Sequence, residues 1–214
     1  MNKLFLTLAI ALLGFGCTSS KITSSWKARD AANQNYRKIL VLGLIKDNDR
    51  TLRENIENHL VADLNARGYE AVSAFKEYGP KGFENNDEQA ALSKLKTNGV
   101  DAVLTIVLLG KESTQRYVPG RVVYAPTFYY SRFWNYYGTL YHRIYEASYL
   151  LTDTRYLWES NLYDMTDQHL VYSVQTQSFD PASSATLGHE YGQLIVKNMI
   201  KSNVLSKTGP KKAF

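Results

Sequence analysis

RKILVLGLI, Arg37–Ile45, is an almost unbroken run of β-branched residues and leucines bounded by polar residues. A strand that hides one face alternates apolar with polar residues, whereas one apolar at nearly every position hides both faces. This stretch therefore predicts a buried strand and sets the expectation for what lies around it.

Downstream, KDNDRTLRENIENHLVADLNARG places Leu52, Ile56, Leu60 and Leu64 on one helical track, with Thr51 and Glu54 spaced as a capping box and Gly68 as the stop. YEAVSAF, Tyr69–Phe75, reads as a second strand, and Gly79, Pro80 and Gly82 mark a loop. DEQAALSKLKTNG predicts a shorter helix opened by Asn86 and closed at Gly99, and DAVLTIVLLG, Asp101–Gly110, a third buried strand. The β-α-β-α-β order calls for a largely parallel sheet with right-handed crossovers.

Further on the patterning changes. RYLWESNLYDM and HLVYSVQTQSF predict a hairpin in which Trp158, Ser160 and Leu162 share a half-buried face with Leu170, Tyr172 and Val174. Asp180 and Pro181 look like a helix start, and Leu187, Tyr191, Leu194, Ile195 and Met199 share its apolar side. The expected fold is a single α/β domain over residues 36–205, with a mixed sheet of about five strands and three helices.

The ends of the chain speak to location. MNKLFLTLAIALLGFG, residues 1–16, has Lys3 and then an apolar run from Leu4 to Leu13, the layout of a secretory signal peptide. The only cysteine, Cys17, follows it directly. A thiol there resembles the lipobox of bacterial lipoproteins, in which the cysteine receives a diacylglycerol and its amino group a further acyl chain. Gly14 and Phe15 depart from that pattern, and the alternative is a secreted protein with an incidental thiol. Acylation at Cys17 would anchor the protein to a membrane without spanning it. Thr18 in place of an Asp implies, by the same resemblance, transfer to the outer membrane, and the lack of acids before Asp30 favours the periplasmic face. Residues 17–35 read as a polar tether, and 206–214 as a basic, solvated tail that could alternatively touch anionic lipid or glycan.

Taken together, SSWKARD (24–30), YRKILVLGLI, DLNARGYEAVSAF, GVDAVLTIVLLGKESTQRYVPG (99–120) and NLYDMTDQHLVYSVQTQSFDP (161–181) resemble a family of uncharacterised Gram-negative bacterial lipoproteins. More distantly, the chain is similar to the small periplasmic α/β domains of the TolB amino-terminal part and of curli-secretion and penicillin-binding-protein-activator lipoproteins. The resemblance implies an interaction module rather than an enzyme.

No catalytic signature emerges. His189-Glu190-Tyr191-Gly192-Gln193 is nearest to a zincin helix, but Gln193 stands where the second histidine is needed, and His59, His142 and His169 lack ligand spacing. Asp47 and Asp49 follow the first strand without a phosphate loop, and Asp164 and Asp167 read as turn residues. Neither a cofactor nor a metal is expected.

The remaining feature is an insertion, 117–145, whose segment YAPTFYYSRFWNYYGTLYHRIY (124–145) gathers ten of the 27 aromatic residues. No Asp or Glu occurs from Ser113 to Tyr145, while arginines are interleaved with the rings, a mixture suited to recognition surfaces. Tyr129, Tyr130, Arg132, Phe133, Trp134, Tyr136, Tyr137 and Arg143 form the candidate binding surface; the alternative is that these rings pack on their own sheet. Behind a signal peptide, nucleic acid is not an expected partner. The expected function is that of a lipid-anchored, periplasm-facing outer-membrane accessory or scaffold, with the membrane and an envelope protein or glycan as partners. Two alternatives stay open: a glycan, lipopolysaccharide or lipid-surface binder acting through the insertion, and an envelope hydrolase with dispersed catalytic groups.

Overall fold

The structure is a computed structural model that describes residues 19–29, 31, 35–46, 49–83, 88–118 and 149–210. In chain order its elements are β1 (Ser20–Lys27), β2 (Lys38–Leu44), α1 (Arg50–Asn65), β3 (Glu70–Ser73), α2 (Ala74–Tyr78), α3 (Glu88–Thr97), β4 (Ala102–Val118), β5 (Tyr149–Asp164), β6 (Leu170–Phe179) and α4 (Ser184–Lys201). The strands form one six-stranded mixed sheet in the order β1-β6-β5-β4-β2-β3. The α/β class is as expected, with one more strand and one more helix than the sequence pattern predicts. The chain divides into two compact units, one running to Lys111 and resuming at Arg155, the other Glu112–Thr154.

The sheet has two different halves. In the parallel half, β2 pairs with β3 (Ile39 opposite Ala71) and with β4 (Ile39 opposite Ala102). Both faces of this half are covered. Ile39, Val41, Leu104 and Ile106 join the larger core with Leu52, Ile56, Leu60 and Leu64 of α1, while Leu40 and Val103 point the other way, to Ala74 of α2 and Leu95 of α3. That two-sided burial is why RKILVLGLI carries no alternation. In the antiparallel half, Trp158, Ser160 and Leu162 of β5 lie opposite Thr176, Val174 and Tyr172 of β6, all buried beneath α4. Their strand neighbours Leu157, Glu159, Gln175 and Gln177 occupy the opposite face, which accounts for the alternation read from the sequence.

Helices α1 and α4 cross closely because glycines face the contact. A methyl group at Gly188 would come within 3.1 Å of the Asn55 carbonyl oxygen, and one at Gly192 within 2.6 Å of Asp63 Oδ2. At the far edge, β3 is shielded by a side chain: Asn65 Oδ1 accepts from the Ala71 amide at 2.7 Å, and Asn65 Nδ2 approaches the Ala71 carbonyl at 3.4 Å. One amide group thus occupies backbone sites that a further strand would need.

The carboxyl ends of β2 and β3 are joined by Glu57, which is fully buried. Its Oε1 accepts from the Gly43 amide at 2.9 Å and Arg53 Nε at 3.1 Å, and its Oε2 from Ser73 Oγ at 2.5 Å and the Phe75 amide at 2.8 Å. Arg53 is steadied by the Pro80 carbonyl and lies over the Phe75 ring.

Several local expectations are corrected. The stretch expected to be a free tether, 17–35, contains β1, whose residues pair antiparallel with β6 from Ser20 opposite Ser178 to Lys27 opposite Tyr172. Its serines and threonines conceal an edge strand, because such a strand has only one neighbour to satisfy. Thr51 and Glu54 do not form a capping box: α1 starts at Arg50, so Thr51 already lies inside the first turn, and Asp49 at the cap makes no side-chain cap bond. Helix α4 is capped by Ser183, which accepts from the Thr186 amide, rather than by Asp180, whose φ of 41° ends β6 in a left-handed turn. Strand β3 stops at Ser73, whose hydroxyl caps α2. The expected solvated tail is held to the fold in its first part: the Tyr69 hydroxyl bonds to both the amide and the carbonyl of Ser206, and Gly209 with φ 78° packs on Arg67 and Gly68.

Because Glu57 removal strands four donors in the interior, Glu57→Ala should lower unfolding free energy by ~3–5 kcal/mol in urea titrations. A loss below ~1 kcal/mol would show that the donors find other partners.

Candidate functional site

Cys17 and the whole candidate surface of Tyr129, Tyr130, Arg132, Phe133, Trp134, Tyr136, Tyr137 and Arg143 lie outside the described residues. Within the unit Glu112–Thr154, the described residues are the last of β4 and the first of β5, where the Ser113 and Thr154 hydroxyls are 3.5 Å apart. The site that can be built from residues is the point where the amino-terminal segment joins the domain.

That point is a latch. Glu190 Oε2 accepts from both the Ser19 amide at 2.9 Å and the Ser19 hydroxyl at 2.6 Å. The Ser19 carbonyl accepts from the Phe179 amide at 2.9 Å, so the residue is tied to α4 and to β6 at once. Next along the chain, the Ser20 and Ser178 hydroxyls share a buried hydrogen bond of 2.7 Å. Ser19 is two residues past Cys17. At ~3.6 Å of chain per residue, the cysteine's Cα can be no more than about 7 Å from a residue fixed to the fold.

The other residues of the zincin-like stretch have partners of their own. The His189 ring meets His59 edge-on at 5.6 Å between centroids, and its Nε2 is 3.1 Å from Gln193 Nε2. Glu190 holds Ser19. Tyr191 is wholly buried, bonds to Ser160 and packs on Trp158 at 5.4 Å, and burial raises its phenol pKa well above the ordinary value. Gly192 makes room for α1. Among the described residues, no group of three or more His, Cys, Asp or Glu is placed to hold a metal ion.

Asp63 sits beside this stretch on α1, with Oδ2 buried and without a hydrogen-bond partner. Loss of water around the carboxyl raises its pKa above the ordinary 3.8, and His189, His59 and Arg67 pull it part of the way back.

The other carboxylates singled out in the sequence are tied into the fold. Asp49, at the start of α1, pairs with Lys111 in the middle of β4 at 3.7 Å, and Asp164 accepts from the Tyr36 hydroxyl and the Thr166 amide. Asp47 lies outside the described residues. Asp101, which belongs to no sequence motif, accepts the Arg37 and Lys38 amides at 2.8 and 2.9 Å. It borders a cavity of about 500 Å³ between α3 and the β5–β6 turn, lined also by Lys96, Met165 and Gln168. A second cavity, about 430 Å³, lies between α1 and β3. No helix among the described residues is long and apolar enough to cross a membrane.

No protein-family model matches the chain, and no curated protein matches it. Solved structures similar to it include the PelC dodecamer from Paraburkholderia phytofirmans, at 10% identity and a TM-score of 0.44, with 90% of this chain and 99% of that chain covered. Another is the lipoprotein GNA1162 from Neisseria meningitidis, at 16% identity and a TM-score of 0.41, covering 77% of this chain and 99% of that one. The expected likeness to TolB and curli-secretion domains is not confirmed by these. At such scores the neighbours carry no statement about role.

Two outcomes follow from this geometry. Glu190→Ala should cost about 1–2 kcal/mol, with faster amide exchange concentrated at Ser19 and Phe179; uniform exchange across α4 instead would mean that Glu190 serves the helix and not the latch. Asp63 has a raised folded-state pKa, so its contribution to stability is present in acid and lost as pH rises through that value. Asp63→Asn should therefore raise Tm at pH 7, and the advantage should vanish below about pH 3.8, the ordinary value. An advantage of equal size at both pH values would assign the effect to packing.

Proposed function

We propose that the protein is a lipid-anchored, non-catalytic accessory or scaffold of the bacterial outer membrane, facing the periplasm. The observation that carries this reading is the position of Cys17, directly behind a signal-peptide pattern and two residues before the latched Ser19. Such an arrangement holds the domain against the bilayer instead of letting it swing on a tether. The use of carboxylates supports the accessory role: Glu57, Glu190, Asp101 and Asp164 each accept from backbone amides or hydroxyls of the fold itself. Groups committed in this way hold elements together rather than wait for substrate.

The Arg- and Tyr-rich insertion supplies the contact surface of this scaffold, with an envelope protein or glycan as partner. Its composition, acid-free from Ser113 to Tyr145 with interleaved arginines, supports that assignment.

Mass spectrometry of the mature amino terminus should find Cys17 as the first residue carrying a diacylglyceryl group and an amide-linked acyl chain, and Cys17→Ser should abolish both and release the protein from membranes. An unmodified thiol on a soluble mature chain would overturn the anchored reading. Photocrosslinking in cells from positions 134 and 137 should capture an envelope component; with no capture from either position, the insertion loses its assigned role.

A further inference from the structure

Next to the latch, Phe179 is held between two cations. Lys21 Nζ lies 5.0 Å and Arg155 Cζ 5.2 Å from the ring centroid. The pairing of the strands makes this arrangement a fixed part of the sheet: Arg155 stands directly opposite Phe179 across β5 and β6, and the Phe179 amide donates to Ser19. Lys21 and Arg155 are exposed and Phe179 is half-buried. All three lie on the face of the antiparallel half turned away from α4, where further along β1 the exposed Trp26 is opposite Ser173.

We propose that the Lys21–Phe179–Arg155 corner is a membrane-docking surface that rests on the anionic headgroups of the phospholipid leaflet holding Cys17. The proposal depends on the anchored reading above. An acylated Cys17 must lie at the headgroup level, and Ser19 can be at most about 7 Å of chain from it. Phe179, bonded to Ser19, is therefore carried to the surface together with its two cations. Lys21 is four residues past Cys17, at most about 14 Å of chain, and attraction between phosphates and Lys or Arg acts over a screening length of about 8 Å at physiological salt, so it operates where the corner rests on the headgroups. An aromatic ring between cations also suits the interface, where an apolar body enters the headgroup layer while charge stays in water. The nearest acid of the latch, Glu190, is already engaged by Ser19. Glu159, further along the same face, is bonded to Gln175 and Asn161.

The test uses the full-length acylated protein in phosphatidylethanolamine vesicles, with or without phosphatidylglycerol. A fluorophore is placed by Gln177→Cys, opposite Lys21, or by Lys207→Cys in the carboxyl-terminal segment, and quenched by headgroup-labelled lipid. Acylation and co-flotation are checked first; their failure overturns the anchored reading and this proposal with it. In acylated, co-floating protein, quenching at position 177 should exceed that at 207 by about threefold in phosphatidylglycerol vesicles, and the difference should fall with salt. Lys21→Glu with Arg155→Glu, and the milder Lys21→Gln with Arg155→Gln, should remove the difference while the protein stays on the vesicles. Equal quenching at the two positions, or a difference unmoved by both double variants, overturns the docking surface alone. Quenching at 177 that appears only when lipopolysaccharide replaces phosphatidylglycerol overturns the choice of occupant.

Discussion

The buried carboxylate of Glu57 is the interaction on which the parallel half of the sheet depends. A carboxylate taken out of water costs several kcal/mol unless its oxygens are satisfied. Here four donors converge on it, from β2, α1, the end of β3 and the start of α2. The carboxyl ends of parallel strands are where open α/β sheets commonly bind ligands, because the loops diverge there and leave backbone amides free. In this protein a side chain of the fold occupies that role at β2 and β3, and the Asp49–Lys111 pair ties the start of α1 to β4. Among the described residues, these strand ends join elements of the fold to one another.

The antiparallel half follows a different rule. Strands β5, β6 and β1 bury one face under α4, while the described residues of the other face are half-buried or exposed, as antiparallel sheets allow. Edge strand β1 could exist as a free end, yet it is secured at its start by Ser19, Ser20 and Phe179 and at its finish by Lys27, whose Nζ donates to the Ser202 carbonyl at 2.7 Å. Both edges of the sheet are managed, β3 by the Asn65 amide and β1 by a bulge between Ile22 and Ser24 with lysines at either end.

How much of this was legible depended on how many residues carried each signal. RKILVLGLI and the hairpin runs are long enough for period and burial to agree, and the shared face of Trp158, Ser160 and Leu162 with Tyr172 and Val174 is where the alternation puts it. Features resting on one or two polar residues were not legible. Asp180 and Ser183 are both good helix caps, and only the left-handed turn at Asp180 decides between them. The serines of β1 have the composition of a linker, because an edge strand hydrogen-bonds through its backbone and needs few apolar side chains. Glu190 was the hardest to read. Its neighbours come nearest to a zincin helix, a reading Gln193 argues against, and its partner Ser19 lies 171 positions away in sequence, with no local pattern connecting them.

The Ser19–Glu190 latch changes what an anchor at Cys17 can do. A polar tether of the length first read from the sequence, about 19 residues as a random coil, would let a domain wander ~20–25 Å from the bilayer and present any face to it. With Ser19 bonded to helix and strand together, that freedom is reduced to two residues. Lost tether entropy is then expended once, on folding, and not each time the domain meets the surface. Were Cys17 acylated as proposed, the domain would be confined to fewer orientations than a long tether allows, and such pre-organisation would lower the cost of a later contact. The constraint comes from two hydrogen bonds to one carboxylate. It needs no new element of structure, only a glutamate on α4 facing Ser19.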